Sequence, residues 1–141
     1  MDDGTLRELL TRARTIAVVG LSEKPERDSN EVARYLKSQG YRIIPVNPAV
    51  PEVLGERSYP SVRAIPPEVR IDVLDIFRRP EHVPPIVDEG IARGVGAIWM
   101  QLGVTSPPAA EKARAAGIPV LEDLCIMVQH RRLHIPPLAS R

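Results

Sequence analysis

Cysteine is almost missing from this chain of 141 residues: Cys125 stands alone, so no internal disulfide can form. Long apolar runs are missing too. The longest uncharged stretches are strand-length, far short of a membrane-spanning helix. No charged-then-apolar leader opens the chain, because Asp2, Asp3, Arg7 and Glu8 crowd its start. Together these predict a cytoplasmic protein. Charge of one sign is also lacking. A formal net charge of +1 gives no general argument for binding nucleic acid or a membrane surface. Lysine is scarce: Lys24, Lys37 and Lys112 are the only lysines among 19 basic residues, the other 16 being arginine. That bias, with 15 prolines, fits a thermophile protein. A GC-rich gene would produce much of the same bias.

What is present suffices for one domain over residues 1–141. At 43% hydrophobic residues the chain can bury a core without disulfides or metals. Leu6, Leu9, Leu10 and Ala13 recur at helical spacing behind Asp2 and Asp3. A strand follows at Thr15–Val19. Asp28 with Glu31 three residues on reads as a capping box for a helix buried through Val32, Ala33 and Leu36 and stopped at Gly40. Strands are predicted at Tyr41–Val46, Ile71–Phe77, Ala97–Met100 and Ile118–Leu121. Helices are predicted after Pro80, around Ala109–Ala116, and from Glu122 or Asp123 to His130; the tail Ile135–Arg141 reads as irregular. Five apolar strands without polar alternation, each separated by a helix or a long connection, predict an α/β Rossmann-like fold. It is a single-domain, doubly wound, five-stranded parallel sheet buried on both faces, with expected strand order 3-2-1-4-5. Ligands of such sheets bind at the carboxyl ends of the strands, near the order reversal.

The loop after the first strand is the most informative segment. Gly20 allows a sharp turn and close approach of a ligand. Ser22, Lys24, Arg27 and Ser29 offer hydrogen bonds to phosphate oxygens in front of a helix start. A nucleotide-like, phosphate-rich ligand is expected. The dinucleotide fingerprint needs three glycines, and here Gly20 is alone. The second strand ends in Val46-Asn47-Pro48, with no carboxylate before Glu52 to bond ribose hydroxyls and no arginine for a 2′-phosphate. Both nicotinamide cofactors are therefore disfavoured.

Candidates for chemistry are few. Cys125 and His130 lie five residues apart on a predicted helix, about 140° apart around its axis, so a nucleophile–base pair is not expected. Cys125 reads as core filling. His82, His130 and His134 lack metal-ligand spacing and are expected at the surface. Asp72 and Asp75 read as structural. No catalytic or metal-ligating residue is assigned.

Five motifs occur in order: V-V-G-L-S with P-x-R-x-S from Val18 to Ser29, Y-R-I-I-P-V-N-P from Tyr41 to Pro48, D-V-L-D-I-F-R-R-P from Asp72 to Pro80, A-I-W-M-Q-L-G from Ala97 to Gly103, and D-L-C from Asp123 with His130 beyond. The pattern resembles the stand-alone CoA-binding protein family. That family is similar to the N-terminal CoA-binding domain of succinyl-CoA synthetase α subunits and of NDP-forming acyl-CoA synthetases. The resemblance implies coenzyme A or an acyl-CoA as ligand, its pyrophosphate wrapped by Gly20–Ser29. Val46, Asn47 and Pro48 would flank the adenosine. Phe77, Arg78 and Pro80 would wall the nucleotide and pantetheine arm, and Trp99, Met100 and Gln101 would lie towards the pantetheine. Arg79 is left undecided. The synthetases carry further domains, one supplying a phosphorylated histidine, so ligase activity is not carried over. The expected function is non-catalytic binding of CoA. Two alternatives stay open: a stand-alone ligase subunit acting with a partner protein, and a nicotinamide-nucleotide sensor.

Overall fold

The computed structural model describes residues 1–140. Arg141, the end of the segment expected to be irregular, lies outside the described residues. Helix α1 (Asp3–Arg12) starts on Asp2, whose carboxylate accepts from the Thr5 amide at 2.8 Å. It is followed by β1 (Thr15–Val19), α2 (Asp28–Ser38) and β2 (Arg42–Val46). A two-stranded antiparallel hairpin, β3 (Glu52–Val53) and β4 (Glu56–Arg57), interrupts the long proline-bearing connection. Then come β5 (Val73–Ile76), α3 (Val83–Arg93), β6 (Ile98–Met100), α4 (Pro107–Ala115), β7 (Val120–Leu121) and α5 (Ile126–Arg132). Short 3-10 turns cover Pro80–His82 and Leu138–Ser140. The tail is therefore not wholly irregular: the Leu138 amide donates to the Gln39 carbonyl at 2.8 Å.

Five strands form one parallel sheet in the order β2-β1-β5-β6-β7. Counting only the strands of this sheet, the order is 2-1-3-4-5, not the expected 3-2-1-4-5. The connection after β2 crosses back over β1 and places β5 against it, with Ile16 opposite Val73 and Val19 opposite Ile76. The reversal therefore lies between β1 and β5, the first and third strands of the sheet.

Side chains alternate between two apolar faces. Ile16, Val18, Ile43, Val73 and Trp99 face a core with α1, α2 and α5. Ala17, Val19, Ile44, Leu74, Ile76, Ile98 and Met100 face a core with α3 and α4. This double burial explains the unalternated strands. Helix α3 stops at Gly94, whose φ of 73° gives the left-handed C-terminal turn its sequence position implies. Two expected starts shift. Asp28 sits inside the first turn of α2, and the residue before it, Arg27, makes no side-chain cap bond, so the capping box does not form. Helix α5 starts at Ile126, with Cys125 as its N-cap, rather than at Glu122 or Asp123. Asp123 adopts a φ of 56° in the turn after β7.

Candidate functional site

The reversal point sets the carboxyl end of β1 beside that of β5. Gly20 follows β1 with a φ of 83°, and its amide donates to the Val46 carbonyl at 2.9 Å. A Cβ at this position would lie 2.3 Å from the Phe77 carbonyl oxygen and 3.0 Å from Arg78 Cδ. Only glycine fits, and its smoothness lets the two strand ends touch.

The loop from Gly20 to α2 is held by side chains bonding its backbone. Asn47 Nδ2 donates to the Leu21 carbonyl at 2.9 Å, and Asn30 Nδ2 donates to the Ser22 carbonyl at 2.8 Å. The Ser22 amide donates to Ser29 Oγ at 3.0 Å, and the Lys24 amide to Ser22 Oγ at 3.1 Å. These bonds shape a cleft of about 370 Å³ lined by Gly20, Ser22, Lys24, Arg27, Asp28, Ser29 and Phe77. Five of the seven are the residues singled out in the loop. Asn30 was missed, because an asparagine two residues into a helix carries no ligand signal of its own.

The cations at this edge make no ion pair among the described residues, although the Asp28 carboxylate lines the same cleft. Several basic side chains elsewhere are engaged: Arg12 with Glu8, Arg70 with Asp72, Lys112 with Asp88, and Arg132 with Asp3. The side chains of Lys24, Arg27, Arg78 and Arg79 have no carboxylate or carbonyl partner among the described residues. With the first turn of α2 behind them, these donors suit an anionic, oxygen-rich group.

A second, smaller cleft of about 160 Å³ opens on the other side of Arg78. Val46, Pro48, Val62 and Ile86 give it apolar walls, with Glu89 at one side. Arg78 lines this cleft and also reaches Gly20, so it stands between the two. Val46, Pro48, Phe77 and Arg78 are thus gathered around one edge. Asn47 serves as a tie: besides Leu21, it accepts from the Ala49 amide through Oδ1 and from Ser58 Oγ through its carbonyl. Pro80 is exposed and lines neither cleft.

Three expected contacts fall on buried residues. Trp99 is 0% exposed, with its indole N–H donating to the Leu124 carbonyl at 2.8 Å, so it has no surface to give a ligand. Met100 beside it is equally enclosed, on the opposite face of the sheet. Gln101 is buried, and its Oε1 accepts from the Ile126 amide at 3.1 Å, fixing the start of α5. An apolar strand end reads alike whether it meets a ligand or a helix.

His82 and His134 are exposed as expected, but His130 is 1% exposed. Its Nδ1 lies 2.7 Å from Tyr35 Oη, and its ring meets Tyr35 and Tyr41 edge-on. Cys125 is half-buried and packs against the core under α1, α2 and α5. Asp72 is structural: it accepts from the Arg14 and Thr15 amides at 2.9 Å each and from Arg70. Asp75 is 0% exposed with neither carboxylate oxygen hydrogen-bonded, and burial pushes its pKa well above the ordinary carboxylate value. Among the described residues no group of three or more His, Cys, Asp or Glu could hold a metal ion, and no helix is long and apolar enough to cross a membrane.

Residues 14–131 match a family described as a CoA binding domain. A hypothetical protein from Pyrococcus horikoshii superposes with a TM-score of 0.91 at 42% identity, covering 95% of this chain and 93% of that one. The uncharacterised protein YneT of Bacillus subtilis is 38% identical over 125 residues, covering 89% of this chain and 91% of its own. The α subunit of an ADP-forming acetate–CoA ligase from Pyrococcus furiosus is 42% identical over 67 residues; these are 47% of this chain but 15% of the subunit.

Proposed function

Because the chain belongs to the CoA binding domain family, we propose that it holds coenzyme A or an acyl-CoA across the β1–β5 reversal and performs no chemistry on it. The observation that carries this reading is the cradle at Gly20. A turn with no room for a Cβ shares one cleft with the first turn of α2 and with Lys24 and Arg27, which make no ion pair. That donor set fits a pyrophosphate: backbone approach from Gly20, hydroxyls from Ser22 and Ser29, a point charge from Lys24 and a planar fork from Arg27. Phe77 gives the adjoining apolar wall, and Arg78 can serve whatever continues into the smaller cleft. A non-catalytic role is supported by the engagement of the one nucleophile–base candidate pair. His130 is held by Tyr35, and Cys125 packs on the core.

The test is calorimetric titration with CoA, acetyl-CoA, NADH and ATP in one buffer. CoA or acetyl-CoA should bind most tightly. Arg27→Ala should weaken CoA binding by about 1.5–3 kcal/mol. Tighter binding of NADH, or unchanged CoA affinity in the variant, overturns the reading. The match to a ligase α subunit favours a second reading, in which the chain works beside a separate partner protein. Incubated alone with ATP or GTP, magnesium, CoA and short carboxylates, the chain should form no acyl-CoA. Acyl-CoA formed only after a partner is added would support the second reading.

A further inference from the structure

The loop that lines the larger cleft is held by two side chains of α2 that do not themselves line it. Asn30 is 2% exposed, in the first turn of α2. Its Nδ2 donates to the Ser22 carbonyl at 2.8 Å, and its Oδ1 accepts from Arg34 Nε at 2.8 Å. Arg34 Nη2 in turn donates to the Pro25 carbonyl at 2.9 Å. Two residues spaced i, i+4 on one helix thus grip the loop at two points, Ser22 and Pro25, on either side of Glu23 and Lys24.

The chemistry of each contact is specific. A buried amide must have both its ends satisfied, and Asn30 does so only with the loop in this conformation. The Arg34 fork fixes which end of the Asn30 amide is the acceptor, so Nδ2 must point at Ser22. Lysine could keep the charge but not reach Asn30 and Pro25 together in that planar geometry. Asn47 and Ser29 hold Leu21 and the Ser22 amide from the other side, leaving the Lys24 and Arg27 side chains without protein partners above a fixed backbone.

We infer that the Asn30–Arg34 relay is the positioning device of the anion cradle: it holds the Ser22–Pro25 backbone in its ligand-bound shape before any ligand arrives. It rests on the proposed function for its ligand, but not for its geometry. Ordering this loop is entropy that binding would otherwise have to supply, and a preformed loop removes that cost. The ligand class it prepares for is a diphosphate ester.

The experiment compares wild type with Asn30→Leu, which keeps side-chain size and adds no charge, and Arg34→Lys, which keeps the charge and loses the fork. Arg34 is exposed, so its variant folds even where Asn30→Leu does not, and then carries the test alone. Two quantities are read. Amide hydrogen exchange across 21–27, measured without ligand, should quicken about tenfold in Asn30→Leu and by a smaller factor in Arg34→Lys, while exchange in β1 and β5 stays as in wild type. CoA affinity should fall by about tenfold in Asn30→Leu, the loss expected for one buried hydrogen bond. Unchanged exchange across 21–27 in the folded variants overturns the relay. Quicker exchange with unchanged CoA affinity also overturns it, since the loop's shape would then not matter to binding. Wild type that fails to bind CoA, with exchange responding as stated, sinks the proposed ligand and leaves the positioning role of the relay intact.

Discussion

Gly20 lies one residue beyond the end of β1 and Asp75 one residue inside the end of β5, and each accepts a constraint that most side chains would not. At Gly20 any Cβ meets the Phe77 carbonyl oxygen, and the backbone is already left-handed. Gly20→Ala should cost at least about 2 kcal/mol of stability from strain alone, read by urea denaturation, and should abolish saturable CoA binding. Asp75 carries a different cost. Its carboxyl is enclosed and unbonded, so the folded state keeps it protonated well above the pH at which the unfolded chain releases that proton. Unfolding therefore releases a proton, and stability falls as pH rises from about 4 towards the raised folded value. Asp75→Asn keeps the shape and removes the ionisation. Its unfolding free energy should be flatter than that of wild type from pH 4 to 7, with the variant gaining on wild type as pH rises. Parallel curves would show that Asp75 does not titrate with folding.

At the scale of elements, the strands of the main sheet were legible as short apolar runs and the helices as apolar residues recurring at helical spacing. The hairpin β3–β4 was not, because two-residue strands leave no period to read. Strand order was misread for a related reason. The crossover from β2 to β5 is decided by what the 47–72 segment packs on, not by any strand's own residues. That segment is anchored by Arg93 at the end of α3, whose guanidinium donates to the carbonyls of Val62, Ile65, Pro66 and Val69. Nothing in the spacing of an arginine near a helix end announces four carbonyl partners. Arg93→Met keeps the aliphatic stem and removes the donors. It should destabilise the fold by about 1.5–3 kcal/mol in chemical denaturation, and should quicken amide exchange in 62–69 before any other region. The loop cations of the site were legible because charge on a predicted ligand edge is conspicuous. Asn30 and Asn47 were harder to see, because they act on backbone groups whose positions only the fold supplies.

For the whole molecule, cations without an ion-pair partner at one sheet edge would make the proposed CoA binding an electrostatic event on a nearly neutral protein. CoA affinity should weaken steadily as sodium chloride rises from 0.05 to 0.5 M, as screening between exposed charges requires. Affinity that is flat with salt would place the anion away from Lys24 and Arg27. At a hundredfold excess over its Kd, CoA should add about 2.7 kcal/mol of stability, a rise in melting temperature of roughly 5–10 °C. The crossover that seats β5 beside β1 has a further consequence, in time rather than in space. Thr15 and Asp72 close a loop of |i−j| = 57, and the floor of the cradle exists only once they meet. Pairing at that separation is slow compared with helix formation. On a ribosome, both halves of the cradle emerge before β6 and α3 can cover the far side of β5. The two strand ends that carry the cradle are therefore made well before β6, α4, β7 and α5, so its closure waits on the long-range pairing of β1 with β5 and not on the synthesis of any cradle residue.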